Sequence, residues 1–139
     1  MAQVPIHRGL FTLPDDPRGT RLLVARCGEC HRLHFPPTDT CPYCTAGCCQ
    51  TDAIGEAGRI YVHTVVSNRP PGYRGEVPYG FGVVELPEGL RVVSGLVAAS
   101  LDALRPGLRV ELEVAPLFVN DDGEEVLSYA YRAVPGAVA

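Results

Sequence analysis

From Arg59 to Ala133 the chain reads as runs of seven to nine residues rich in Val, Ile, Leu, Tyr and Thr, cut at intervals by Gly and Pro. That punctuation predicts strands at Ile60 to Ser67, Tyr79 to Leu86, Leu90 to Leu96, Arg109 to Leu117 and Glu125 to Ala133. In the first, alternation places Ile60, Val62, Thr64 and Val66 on one face and Tyr61, His63 and Val65 on the other. Both faces are apolar enough to be partly covered. Pro87-Glu88-Gly89 and Asn120-Asp121-Asp122-Gly123 predict tight hairpin loops, because Gly, Asn and Asp tolerate positive φ. Ser100 caps a helical turn that Pro106 and Gly107 end. Five strands with one helical turn between the third and fourth match an OB-type barrel.

The amino-terminal part has a different texture. Pro5, Gly9, Pro14, Pro17 and Gly19 exclude a stable helix over residues 1–20, which read as an arm anchored by Leu10, Phe11 and Leu13. Arg21 to Arg26 is a short apolar strand that delivers the chain to Cys27. The organisation expected is an arm over 1–20, a metal ribbon over 21–54 and the barrel over 55–139.

The ribbon rests on Cys27-Gly28-Glu29-Cys30, ten intervening residues, and Cys41-Pro42-Tyr43-Cys44. Each Cys-x-x-Cys turn holds two thiolates on one tetrahedral ion, and this spacing is that of zinc. Four thiolates close the coordination sphere, so the zinc staples and leaves no position for an activated water. Two disulfides are the competing pattern, but a cytosolic chain keeps such thiols reduced. Cys48 and Cys49 read as packed or half-exposed thiols rather than a nucleophile. His31 and His34 read as ribbon surface, since four cysteines already suffice.

Composition narrows the function. The 139 residues suit a small metal module fused to one modest barrel, too short for a large two-domain enzyme. Apolar stretches are too short to span a bilayer, and Met1 to Leu13 has no signal-peptide core, so no membrane partner and a cytoplasmic location are expected. The formal charge is −4 and the twelve basic residues, all Arg, are not clustered along the sequence. Nucleic-acid binding needs a basic footprint and is the minor alternative. No catalytic motif occurs, and His63 has no evident carboxylate partner. The loop from Arg69 to Tyr79 stands apart, because its prolines stiffen a rim on which Arg69, Tyr73, Arg74 and Tyr79 offer phosphate pairing and aromatic contact.

These pieces resemble the DUF35 family. The resemblance runs from Leu10 to Pro135 and is carried by Arg26-Cys27-Gly28-Glu29-Cys30, Phe35-Pro36-Pro37 before Cys41-Pro42-Tyr43-Cys44, Gly58-Arg59-Ile60-Tyr61, Val77-Pro78-Tyr79 and Leu104-Arg105-Pro106-Gly107. It implies a rubredoxin-like zinc ribbon followed by an OB-fold, in a non-catalytic subunit of a thiolase-superfamily complex. A hetero-oligomer is implied, a heterotetramer with a catalytic thiolase or thiolase-like aldolase. The subunit would help hold a coenzyme A thioester, with Arg69, Tyr73, Arg74 and Tyr79 as contacts. Val126 to Arg132 and Leu10-Phe11 resemble members paired with thiolases of aromatic acyl-CoA degradation, with steroid side-chain aldolases as the alternative. Two positions depart from the family pattern. His31 stands where Gly often follows the second Cys, a place that can require positive φ, and Tyr131-Arg132-Ala133 replaces the usual Phe-Arg-Pro ending.

Overall fold

The punctuated runs become the strands of a closed barrel in the computed structural model, which describes residues 2–134. The chain forms β1 (Gln3–Pro5), β2 (Leu22–Cys27), β3 (Leu33–His34), β4 (Cys49–Ile54), β5 (Ala57–Val66), β6 (Tyr79–Glu85), β7 (Arg91–Val97), β8 (Arg109–Val119) and β9 (Glu125–Ala133). A single 3-10 turn, Leu101–Ala103, lies between β7 and β8, where the Ser100 hydroxyl accepts from the Asp102 N–H at 3.3 Å. Strands β5, β6, β7, β9 and β8 pair in that order, and β8 pairs back to β5. β7 and β9 are parallel and the other barrel pairs antiparallel, the circuit of an OB-fold. The end of the range assigned to the barrel from sequence, residues 135–139, lies outside the described residues.

One expectation for the first barrel strand is corrected. The register of β5 on β6 slips between Ile60 and Val62, so Tyr61 is an extra residue and the alternation inverts beyond it. Ile60 points into the core, Tyr61 and Val62 both point out, and His63 returns to the inner side. The bulge brings β5 backbone over Gly82, where an added Cβ would collide with the Val62 carbonyl oxygen. Only glycine fits that approach.

The arm packs on the barrel rather than trailing from it. β1 pairs parallel with the first half of β9 along the edge that β7 occupies further on, so this edge is not left open. Phe11 is buried, bridges to Leu22 and lies 6.3 Å from the Tyr129 ring. Leu13, the third anchor expected, is exposed.

The second sheet, β3-β2-β4, carries the ribbon. Leu22, Val24 and Leu33 from it join Ile60, Val84, Leu127 and Tyr131 of the barrel in one continuous hydrophobic cluster. At the seam the buried Tyr131 hydroxyl donates to the Gly55 carbonyl oxygen at 2.6 Å. Gly55 takes positive φ, 87°, at the corner where β4 hands the chain to β5. Burial pushes the Tyr131 phenol well above its ordinary pKa, which keeps it a donor. Tyr131→Phe strands the Gly55 carbonyl and is expected to cost about 1–3 kcal/mol, the usual penalty for an orphaned buried acceptor. Chemical denaturation followed by far-UV circular dichroism measures it.

Candidate metal centre and ligand cleft

The four ribbon cysteines meet at one point. All four Sγ atoms lie within 4.8 Å of one another, with Cys27 and Cys44 3.5 Å apart and Cys30 and Cys41 3.6 Å apart. A disulfide needs about 2.05 Å, so these are separate sulfurs. Tetrahedral zinc at about 2.3 Å from each ligand spaces them about 3.8 Å apart. The cluster fits one such ion closely.

Local sequence explains the convergence. The Cys27 N–H donates to the Arg32 carbonyl and the His31 N–H returns to the Cys27 carbonyl, at 3.0 Å each. Cys41 with Ala46 and Thr45 repeats the same pair of bonds, at 2.9 and 3.0 Å. Each turn also aims backbone N–H groups at its first sulfur, Glu29 to Cys27 at 3.3 Å and Tyr43 to Cys41 at 3.4 Å. The N–H groups of Cys30 and Glu29 outweigh burial and hold the Cys27 thiol down at about 6. At Cys44 the Ala46 N–H favours the thiolate, yet the crowded sulfurs of Cys27, Cys41 and Cys30 push it up to about 12. The donor set therefore calls for a cation to carry the last thiolates. Zinc here supplies cross-linking, with no coordination position left for chemistry.

Both turns end in the left-handed region. His31 has φ 63°, as the departure from glycine in the sequence suggested, and Thr45 has φ 65° at the equivalent place in the second turn. For a β-branched residue that conformation is strained.

The other candidate residues are placed apart from the four sulfurs' role. Cys49 sits on β4 opposite Cys27 and is half-buried. Its burial and the charge of the Cys27 sulfur push its thiol up to about 11, the reverse of an activated nucleophile. His63 is half-buried and makes no side-chain hydrogen bond among the described residues. His34 is a correction to the surface position expected for it. It is only 5% exposed, because β3 turns it inward and its Nε2 accepts from the Thr38 N–H at 3.2 Å.

The rim residues part company. Arg69 bonds back to the carbonyls of Gly75 and Tyr73 within its own loop. Arg74 lies 4.6 Å over the Phe118 ring and reaches the Val119 carbonyl at 3.3 Å and Asp121 at 3.5 Å, joining the β5–β6 loop to the β8–β9 hairpin. Tyr73 and Tyr79 stack with ring centroids 4.6 Å apart and wall a cleft of about 780 Å³. Its floor is Gly95 and Ala130, paired across β7 and β9, and Arg132 stands at its side, bridged to Glu113 at 3.0 Å. The sequence reading missed Arg132 because the parallel β7–β9 pairing that sets it beside Val97 is a long-range contact without a local motif. The cleft occupies the outer barrel face and interstrand loops on which OB-folds hold ligands.

Fold and site together define a zinc-ribbon protein fused to an OB barrel. Residues 18–47 match the ChsH2 rubredoxin-like zinc ribbon domain and residues 51–115 the ChsH2 C-terminal OB-fold domain. The benzoylsuccinyl-CoA thiolase subunit BbsA of Thauera aromatica is 33% identical over 129 residues, covering 92% of this chain and 87% of that one. The solved structure titled Ltp2-ChsH2(DUF35) aldolase superposes with a TM-score of 0.65 at 29% identity, over 81% of this chain and 84% of that one. The chain belongs to the DUF35 family. A probable enoyl-CoA hydratase alpha subunit of Thermomonospora curvata is 34% identical over 115 residues, but this chain spans only 34% of its length.

Two outcomes test the centre. Cys41→Ser is expected to abolish stoichiometric zinc and melt the ribbon sheet, read by metal analysis of the reduced protein and by circular dichroism. Thr45→Asn, which accepts positive φ more readily, is expected to stabilise the zinc form by up to about 1 kcal/mol, read as a higher midpoint in chelator-matched denaturation.

Proposed function

We propose that this protein is the non-catalytic accessory subunit of a thiolase-superfamily complex acting on acyl-CoA thioesters, where it stabilises the catalytic chain and helps bind the coenzyme A substrate. The observation that carries the reading is the closed four-thiolate centre joined to a barrel whose ligand face is open and aromatic. The centre has no position for an activated water, and among the described residues neither Cys49 nor His63 has a base–carboxylate pair to activate it, which supports placing the reacting groups on a partner. The likeness to a thiolase subunit over most of both chains supports the partner class.

Tyr73 and Tyr79 are the contacts for the thioester in this reading, on a cleft where the small residues Gly95 and Ala130 leave room for an extended pantetheine arm. Arg69 and Arg74 hold the loop that presents them, and Arg132 offers a guanidinium at the cleft wall. The assembly is a hetero-oligomer, a heterotetramer built around the partner's twofold axis. Degradation of aromatic CoA esters is the favoured branch, in line with the 33% identity to the BbsA subunit. A retro-aldolase complex is the second reading, favoured by the likeness to the aldolase structure.

The reading predicts that the native protein co-purifies with a larger thiolase-type chain and that the isolated subunit shows no turnover. In the reconstituted complex, Tyr79→Ala is expected to raise KM for the acyl-CoA by roughly tenfold with little change in kcat, the signature of lost uniform binding. Thioester cleavage by the isolated subunit, or full-rate turnover by the partner alone, overturns it.

A further inference from the structure

The outer face of β5, β6 and β7 breaks the rule for a sheet that faces water. Antiparallel strands with one solvated face ordinarily point polar residues outward. Here Val62, Val83 and Val93 are Cα partners across the three strands, and Val62 is 49% and Val93 54% exposed. In the next row Phe81, 38% exposed, lies between Thr64 and Gly95. The β5 bulge creates this strip, because without the extra residue Tyr61 the side chain of Val62 would point into the barrel. A contiguous apolar strip maintained by a backbone irregularity is a surface meant to be covered.

What covers it is indicated by charge. At the ribbon end of the strip Arg91 pairs with Glu85 at 3.0 Å and lies 3.9 Å over the Tyr61 ring. Arg91 shares a cleft of about 590 Å³ with Arg26 and Arg32 of the ribbon. Among the described residues neither Arg26 nor Arg32 has a carboxylate partner, and Glu88, on the same cleft, pairs with neither. Arg26 is held by the His31 carbonyl at 3.2 Å and Arg32 lies 5.2 Å over the Tyr43 ring. Both cations are positioned, and among the described residues neither is paired with a carboxylate, in a chain whose formal charge is −4.

We infer that this strip, with Arg26 and Arg32 at its end, is the face on which the catalytic partner subunit docks. The partner presents an apolar ridge flanked by carboxylates; the inference rests on the accessory-subunit reading above and names the surface that serves it. A second copy of this chain does not fit. A twofold copy with its axis across the strip would lay Val66, Tyr79 and Val97, none of them a carboxylate, against the arginines, and one with its axis along the strip would set arginine cleft against arginine cleft. Tyr and Arg beside an apolar centre also make up the composition of strongly contributing interface positions.

The test uses the full chain and the catalytic chain that co-purifies with it, titrated by calorimetry at two salt concentrations. Val93→Arg is expected to weaken association by roughly a hundredfold or more, as loss of a central interface position does, with zinc content and circular dichroism unchanged. The double variant Arg26→Glu, Arg32→Glu leaves the barrel strip untouched, is required to keep its zinc content and circular dichroism because Arg26 bonds the His31 carbonyl and Arg32 lies over Tyr43, and is expected to weaken association by about tenfold and to flatten its salt dependence. Wild-type association that both variants reproduce overturns the docking face and leaves the accessory-subunit reading standing. A wild-type chain that associates with no thiolase-type subunit overturns both. An isolated chain that sediments as a dimer, and as a monomer when Val93→Arg is introduced, assigns the strip to self-association and overturns the inference.

Discussion

Four sulfurs that must share one cation set the terms for everything around them. Two short turns have to present their thiolates to the same point, so each closes its own pair of backbone hydrogen bonds and each ends at positive φ, even where the residue is Thr45. The sheet that carries these turns is too small to bury a core alone. Leu22, Val24 and Leu33 therefore sink into the hydrophobic cluster of the barrel, and Tyr131 closes the seam on Gly55. Ribbon and barrel share one core, through which a disturbance at the centre reaches residues that never approach the ion.

Much of this was legible in the chain itself. Cys-x-x-Cys spacing is a local code with one common physical solution, and Gly and Pro between β-branched runs mark strand ends wherever the tertiary fold leads. The hairpins at Gly89 and Gly123 and the turn capped by Ser100 have local causes of the same kind. What stayed hidden depends on contacts across distance. The inversion at Tyr61 follows from the register of β5 on β6 and from Gly82 opposite, neither visible in the alternation of β5 alone. His34 is polar in sequence but inward on β3. Arg69 and Arg74 are ambiguous as residues, and only the folded loop shows that their guanidiniums are occupied by its own carbonyls and by Phe118.

Twelve arginines scattered along an acidic chain suggested no patch, yet folding sorts them by task. Arg74, Arg91 and Arg132 are tied to carboxylates, Arg59 and Arg69 brace carbonyls, and Arg26 and Arg32 are gathered beside Arg91 from segments some sixty residues apart. Linear charge statistics average over that sorting. The bulge does for apolar residues what folding does for charge, turning an ordinary strand pattern into an outward-facing strip.

β4 has a consequence for how the two halves can be separated. It begins at Cys49 and supplies the third strand of the ribbon sheet, with Leu23 opposite Ala53 and Cys27 opposite Cys49. A barrel fragment starting at Thr51 would carry most of that strand away with it and leave the metal module two-stranded. Recombination or truncation between the halves is therefore constrained to the corner at Gly55, and even there it severs the phenol latch from Tyr131. The two modules depend on each other through a shared apolar seam, and each exposes core side chains when cut from the other.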